Sequence, residues 1–537
     1  MWRQRTIESL KSTTFDVLVV GGGITGCGIA RDAAIRGLRV ALVEQDDFAS
    51  GTSSRSSRLV HGGVRYLEHG QLSLVFESSR ERRTLLRIAP HLVRPMSFTW
   101  PVYAGDRIPR WKLDVGLTLY DSLALFRNVG SHRRLTRRAV ERLEPALSTR
   151  ELLGGASYWD ASTDDVRLTL ANAIAAREEG AAVLNHARVV ELHRRDGRVC
   201  GATIEDGPTG ESVGVSARLV VNAAGPWSDS VESLAHAGEA GVRGSKGAHV
   251  MVPRTRIGNV SAITLTAPQD GRVMFVLPAG AFTIIGTTDT FDAVAPAEAR
   301  ATRADVEYLL EAANHYFPAA QLQQQDVVGA WAGIRPLAAR RAKGATPVSA
   351  SREHAIEQAV PGLVRITGGK LTTYRAMASE VVDVVAATLG AHRARSRTSS
   401  VSLPGGDVSD LDAIIGDATS ETGDAVVATR LVRAFGSRWR SVWVLGEKDS
   451  SLRSRITPER PYLLAELRYA VQDEMACSLG DLLIRRTPVA FETPDHGRSA
   501  ARAVAPRVAA WLGADDSWRA RALADYEAET ARVFTID

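Results

Sequence analysis

The sequence predicts an α/β fold with an appended all-α region: a Rossmann-type sheet interleaved with an antiparallel sheet, then a C-terminal helical cap. Three observations predict it. A strand–glycine–helix–strand unit occupies residues 15–44, short strand-like runs separated by turn residues fill 243–290, and strand signals nearly vanish beyond 408. A chain of 537 residues is too long for one core, so at least two domains are expected. Its 45% hydrophobic and 24% charged residues make it globular rather than disordered.

The first unit begins with Phe15-Asp-Val-Leu-Val-Val20, a buried strand that enters G-x-G-x-x-G at Gly21, Gly23 and Gly26. The helix that follows places Ile24, Cys27, Ala30 and Ala34 on one face and stops at Gly37. A second strand, LRVALV, ends at Glu44. Gly21 permits the turn, Gly23 admits a pyrophosphate against the backbone, and Gly26 lets helix and strand pack closely. The helix N-terminus offers unpaired N–H groups to phosphates, and Glu44 can accept ribose hydroxyls. This unit binds a dinucleotide.

Next come hydroxyl side chains crowded between glycines, Thr52, Ser53 and Ser57 among them, followed by His61 and the pair Gly62-Gly63. Such a stretch suits phosphate and ribityl oxygens, and the glycine pair lets backbone lie against a flat ring. Residues 71–89 read as a long basic helix and 166–180 as another. The stretches 181–192, 198–206 and 217–225 read as strands returning to the nucleotide-binding sheet. LVVNAAGPWSD (219–229) ends a buried strand in Ala-Ala-Gly, and VRITGGKLTTYR (364–375) repeats the strand-to-glycine design, with Thr372 and Thr373 starting a helix. Three strand ends then converge on one crevice, where α/β sheets bind ligands. Contacts so widely spaced suit FAD better than a nicotinamide cofactor. The runs HVMVP, SAITLTA, RVMFVLPA and FTIIGTTD suggest a separate antiparallel sheet covering the flavin, and 391–408 a linker. The cofactor segments are expected at about 12–70, 150–230 and 340–390 within residues 1–395, substrate segments at about 71–149 and 231–339, and the helical region at 396–537.

Composition narrows the setting. Three scattered cysteines form neither a disulfide framework nor a zinc site, so no metal is expected and the compartment reads as reducing and cytoplasmic. The N-terminal MWRQRTIESLKSTT lacks the apolar core of a secretory signal. No apolar run approaches the roughly 18–20 residues that span a bilayer. A net charge of +5 favours an anionic partner. Nucleic acid is not expected, because no basic–aromatic platform accompanies the arginines. Residues 94–127 mix Arg94, Arg107, Arg110 and Lys112 with Phe98, Trp100, Trp111 and Phe126. They read either as a membrane-interface segment or as an amphipathic helix on the protein's own core.

The motifs VVGGGITGCGIARDAA, GTSSRSSRLVHGGVRYLEHG, LVVNAAGPWSD, RGSKGAHVMVP, FTIIGTTD, WAGIRPL and GGKLTTYR together resemble the FAD-dependent, quinone-linked glycerol-3-phosphate dehydrogenases. The glycine fingerprint is common among flavoproteins; HGGVRYLEHG and GGKLTTYR resemble this family specifically. The likeness spans roughly the first three quarters of the chain, and residues 462–487 resemble the family's helical cap. It implies oxidation of sn-glycerol 3-phosphate to dihydroxyacetone phosphate, hydride transfer to FAD, and reoxidation by a membrane quinone. It also implies peripheral attachment to the inner face of the cytoplasmic membrane, and leaves a homodimer open. FAD is expected on Gly21, Gly23, Gly26, Glu44, Thr52, Ser53, Ser57, His61, Gly62, Gly63, Val189, Ala224, Gly225, Trp227, Gly369, Lys370, Leu371 and Thr372.

A phosphate dianion calls for cations. Arg65, Arg335 and Lys370 are expected to supply them as three otherwise uncompensated charges, with Tyr66 and His249 completing the substrate site. Hydride loss also needs a proton acceptor. His249 is preferred as base over His61, with Arg335 and Lys370 as the other catalytic groups. The rivals are an oxygen-using glycerol-3-phosphate oxidase, an amine or amino-acid oxidase of the same superfamily, and a non-catalytic flavin sensor or scaffold.

Overall fold

The computed structural model describes residues 2–125, 128–235, 242–291, 295–338, 353–390 and 394–537. Phe126, the 339–352 stretch at the expected boundary near 340, and the side chain of Arg65 lie outside the described residues. Six strands form the nucleotide-binding sheet in the order Ala355–Val360, Leu363–Thr367, Val220–Asn222, Val17–Val20, Val40–Val43, Ala182–Leu184. All neighbours are parallel except the first pair.

Both Val17–Val20 and Val40–Val43 are buried along their whole length, as strands covered on two faces must be. Alternate residues serve different layers. Val17, Val19, Val40 and Leu42 pack on helices Ile24–Ile35, Asp165–Glu178 and Tyr374–Leu389, while Leu18, Val20, Ala41 and Val43 face a second sheet. Gly21 has φ +112°, and a Cβ there would sit 2.6 Å from the Ala223 carbonyl oxygen. A Cβ on Gly26 would overlap the Gly21 carbonyl, so no other residue lets the helix approach this closely.

The second sheet runs Thr14–Phe15, Ser212–Ala217, Arg198–Asp206, Ala187–Arg195. Here the structure corrects an expectation. Of the strands expected to return to the nucleotide sheet between 181 and 206, only Ala182–Leu184 does so. The chain turns at Asn185 and His186, where φ is +49°, and Ala187 onwards pairs with Arg198–Asp206 instead.

The third sheet has nine strands and forms the substrate half of the molecule. Its order is Gly329–Ala338, Val242–Pro253, Phe282–Gly286, Val273–Ala279, Ala262–Thr266, Val93–Tyr103, Leu152–Thr163, Leu59–Val60, with Arg133–Thr136 also on Leu152–Thr163. All described pairings are antiparallel except that of Ala262–Thr266 with Val93–Tyr103. Helix Arg303–Tyr316 covers one face through Val306, Leu309, Leu310 and Ala313. Leu59–Val60 and Leu152–Thr163 join this sheet although they fall in stretches expected to serve the cofactor.

The interfacial reading of 94–127 is corrected for its first half. Phe98 and Trp100 are only 1% and 5% exposed, because pairing with Leu152–Thr163 turns them into the core, where Phe98 stacks on Tyr158 at 5.1 Å. Within the described part of this segment the outward apolar face is on helix Arg110–Leu123, with Trp111 70% and Val115 60% exposed. No described helix is long and apolar enough to cross a membrane.

Beyond Leu363–Thr367 the described named elements are helical, from Tyr374–Leu389 to Asp516–Phe534. Asp410, Asp424 and Asp515 cap three of the C-terminal helices, each side chain accepting backbone N–H groups. This region is fastened to the nucleotide half through Asp47, whose buried carboxylate accepts hydrogen bonds from Arg485 (2.7 Å), Arg486 (2.5 and 3.0 Å) and Asn185 (2.9 Å).

Candidate functional site

Two cavities lie end to end at the carboxyl edge of the nucleotide sheet and share Ile24, Thr52, Ser53, Pro336, Gly369, Lys370 and Leu371. The first runs from Glu44 and Val189 past Gly21, Gly23, Ala224, Gly225 and Trp227. The second runs under the nine-stranded sheet, past Ser57, His61, Tyr66, His249, Arg335 and Thr372. Together they make one elongated groove, as a ligand with two ends requires.

In the first cavity the strand end delivers Glu44. Its two oxygens accept the Gly22 N–H at 2.6 Å and the Asp46 N–H at 2.9 Å. Burial pushes this carboxyl up to about 7 against the pull of those two donors. The Ser53 hydroxyl accepts the Ile24 N–H at 3.0 Å and so steadies the N-terminus of helix Ile24–Ile35. Thr52 donates to the Ile334 carbonyl at 2.6 Å, tying this loop to the substrate sheet. Gly26 lies beneath the groove, where its part is packing.

In the second cavity the sheet register places His249 beside Trp331 and opposite Gly286. The imidazole stacks on Trp331 at 5.6 Å, and its Nε2 is 2.8 Å from the Ser57 hydroxyl. Burial, then Arg335 and Arg58, push its pKa down to about 3, so the ring is neutral at physiological pH. Arg335 donates to Asp289 and to the Thr287 hydroxyl, both at 3.0 Å. A Cβ on Gly247 would sit 2.6 Å from the guanidinium carbon, so that glycine makes room for the arginine. Lys370 stands 3.8 Å over the Tyr66 ring and donates to Ser78 at 3.2 Å. The His61 N–H donates to the Thr372 hydroxyl at 3.1 Å. Gly62 lines none of the described cavities, and Gly63 lines a small side chamber between His61 and Tyr158.

The expectation of three uncompensated cations is corrected at Arg335, because Asp289 neutralises it in place. Asp289, Thr287, Ser78 and the space-making Gly247 were not singled out from sequence. The glycine inside the strand-like run KGAHV was the signal available for the last of these. Arg55, also on the cavity wall, donates to the carbonyls of Ala299 and Ala332.

One group of metal-ligating side chains occurs among the described residues: His186, Cys477 and Asp481, with ligand atoms within 4.8 Å of one another. Its carboxylate is already occupied. Asp481 accepts the Cys477 N–H (2.8 Å), the Ser478 N–H (3.2 Å) and hydroxyl (2.6 Å), Arg485 (3.0 Å) and His186 (3.0 Å). The group is a clamp at the base of the C-terminal region.

Residues 16–383 match the family described as FAD dependent oxidoreductase, and 396–519 match the C-terminal domain of alpha-glycerophosphate oxidase. Glycerol-3-phosphate dehydrogenase 2 of Mycobacterium bovis is 40% identical over 98% of this chain and 88% of its own length. The glycerol-3-phosphate dehydrogenase of Synechocystis is 37% identical over 92% of each. The X-ray structure of the glycerol-3-phosphate dehydrogenase from Bacillus halodurans, complexed with FAD, superimposes over 100% of both chains with a TM-score of 0.82 at 31% identity. The chain belongs to the FAD-dependent glycerol-3-phosphate dehydrogenase family. Its cofactor is FAD, and the groove fits it. A glycine-bounded helix N-terminus faces the middle, a strand-end carboxylate stands at one end, and a broad chamber opens at the other. In this dehydrogenase fold the nucleotide sheet supplies the floor and the nine-stranded sheet the roof.

Proposed function

We propose that the protein oxidises sn-glycerol 3-phosphate to dihydroxyacetone phosphate and returns the electrons to a membrane quinone. The observation that carries this reading is the second cavity, where Arg335, Lys370, Tyr66 and His249 surround the far end of the FAD groove. Bound FAD supplies the hydride acceptor. Arg335 and Lys370 orient the substrate's phosphate and stabilise charge on its hydroxyl oxygen as the hydride departs. The neutral His249 ring accepts the hydroxyl proton, with Ser57 fixing its Nε2. Trp331, stacked on the imidazole and fully buried, keeps water from that side.

Attachment to the membrane is part of the same reading. Trp111, Val115 and Leu119 recur at helical spacing on the outer face of Arg110–Leu123, and Leu72 and Phe76 are exposed on helix Leu72–Ile88, which packs beside it. Exposed Arg107, Arg110 and Lys112 flank the stripe, a combination that suits an anionic bilayer surface. An oxygen-using oxidase is the second reading, favoured by the C-terminal match to alpha-glycerophosphate oxidase. One experiment separates them. Glycerol 3-phosphate bleaches the yellow protein anaerobically, and a quinone restores the colour faster than air does. Faster recovery in air supports the oxidase, and bleaching by amino acids alone overturns both.

A further inference from the structure

Strand Leu59–Val60 ends where Val60 pairs with Ala161; His61 then lines the second cavity, Gly62 lines neither it nor its neighbours, and Gly63 lines the small side chamber. Past the end of a ladder the next N–H groups need other acceptors. His61 finds the Thr372 hydroxyl. Gly62 finds a side chain: its N–H donates to Asp160 Oδ1 at 3.0 Å, one residue before Ala161 on the neighbouring strand. The same oxygen accepts the Tyr120 hydroxyl at 2.8 Å and pairs with the Arg82 guanidinium. All three side chains are buried, at 3% exposure for Asp160, 0% for Tyr120 and 3% for Arg82. Arg82 also donates to Tyr120 at 2.8 Å and to Asn128.

We propose that Asp160 is a positioning residue, a buried carboxylate that fixes the backbone at Gly62 and so holds the adjoining His61 at the wall of the second cavity, the flavin end of the groove. This rests on the reading of the second cavity given above. Its geometry is specific. A Cβ on Gly62 would sit 2.7 Å from the Tyr120 ring, so the loop is wedged between that ring and the carboxylate. Gly63 follows at φ +78°, which leaves the loop no alternative path with an ordinary residue. Arg82 lies on helix Leu72–Ile88 and Tyr120 on Arg110–Leu123, so two packed helices hold the carboxylate. An ionised Asp160 offers the loop a stronger acceptor than a neutral amide, and Arg82 keeps the charge balanced at that depth.

The test uses the FAD-loaded, full-length protein with Asp160→Asn and Tyr120→Phe. Asp160→Asn keeps the volume but removes the charge that Arg82 and Gly62 share. It is expected to lower kcat at least tenfold while KM for glycerol 3-phosphate changes less than threefold. It is also expected to shift the flavin visible band and to raise the FAD dissociation rate severalfold. Tyr120→Phe removes one hydrogen bond to the same oxygen, and should move the same observables in the same direction by a smaller factor. The spectrum and the FAD release rate are read without substrate, so they test the loop even if glycerol 3-phosphate is not the substrate. If Asp160→Asn fails to fold, Tyr120→Phe decides alone. A folded Asp160→Asn, or in its absence a Tyr120→Phe, with the parental spectrum, FAD release and kcat overturns the assignment.

Discussion

The Glu44 carboxyl reaches the groove with both oxygens already accepting backbone N–H groups, and burial raises it to about 7. With a ribose hydroxyl donating to Glu44, the ionised form is the better acceptor, and FAD binding is expected to select the deprotonated state. The apparent Kd of the FAD-free protein should therefore rise below pH 7, approaching tenfold per unit, because each proton must leave before the cofactor binds. Glu44→Gln should bind FAD more weakly, with no such slope. Quenching of flavin fluorescence from pH 8 to pH 5.5 reads both, and a flat parental curve removes the carboxylate from the binding step. At the other end, Arg335→Ala and Lys370→Ala should each lose roughly 3 kcal/mol of transition-state stabilisation, about a hundredfold in kcat/KM, while FAD is retained. Parental turnover in both variants would put the phosphate elsewhere. The first end was legible because its signal is local: Gly21, Gly23, Gly26 and Glu44 sit in one βαβ unit whose spacing is fixed by geometry. The pairings of the second end were not. Ser57 meets His249 across 192 positions and Arg335 meets Asp289 across 46, and no local pattern encodes either pair.

Helix Arg110–Leu123 divides its residues between two surroundings. Leu113, Leu117 and Tyr120 face the core, while Trp111, Val115 and Leu119 face outward. An exposed stripe of this kind beside cations has a reason to persist if it meets lipid. Burying a large apolar side chain is worth roughly 1.5–3 kcal/mol, so Trp111→Ser with Val115→Ser should cut partition onto anionic vesicles by at least about tenfold. Turnover with a water-soluble electron acceptor should stay near the parental value. Flotation assays measure the first quantity, and unchanged flotation would assign the stripe to something other than a bilayer. The same region shows why one element was misread. VRPMSFTWPVY carries two prolines and no strict alternation, so the Val93–Tyr103 strand gives a weak local signal. It is a strand because Leu152–Thr163, some 50 residues on, pairs with it along its full length. Helices Leu72–Ile88 and Asp165–Glu178, whose periodicity is internal, appear within two residues of where their patterns place them.

At the scale of the whole molecule, the C-terminal helices and the nucleotide sheet share one buried ionic seam. Arg167 holds Glu474 through two hydrogen bonds of 2.8 and 2.7 Å and lies over the Phe435 ring at 4.4 Å. Asp47 receives Arg485 and Arg486 and sits three residues beyond Glu44, on the loop whose Gln45 and Ser50 line the first cavity. Burial alone would raise the Asp47 carboxyl. Arg486 and Arg485 overcome that cost and hold it below the ordinary carboxylate value, so the seam is charged at neutral pH. A group depressed in this way stabilises the fold above its unfolded value near 3.8, and that contribution is lost as the pH falls further. Removing one member of such a network leaves its partners charged in a dry setting, which typically costs about 3–5 kcal/mol. Asp47→Ala should therefore lower the first unfolding transition, release FAD more readily through the loosened 45–50 loop, and expose the 474–487 segment to protease. Arg486→Met keeps the Arg485–Asp47 pair and much of the side-chain volume, so its effect should be smaller on all three measures. A chain of this size need not unfold in one step. The diagnostic is the coupling: FAD release and protease sensitivity should rise together in Asp47→Ala. If cleavage increases while FAD stays bound at the parental rate, the seam fastens the C-terminal helices without supporting the cofactor loop.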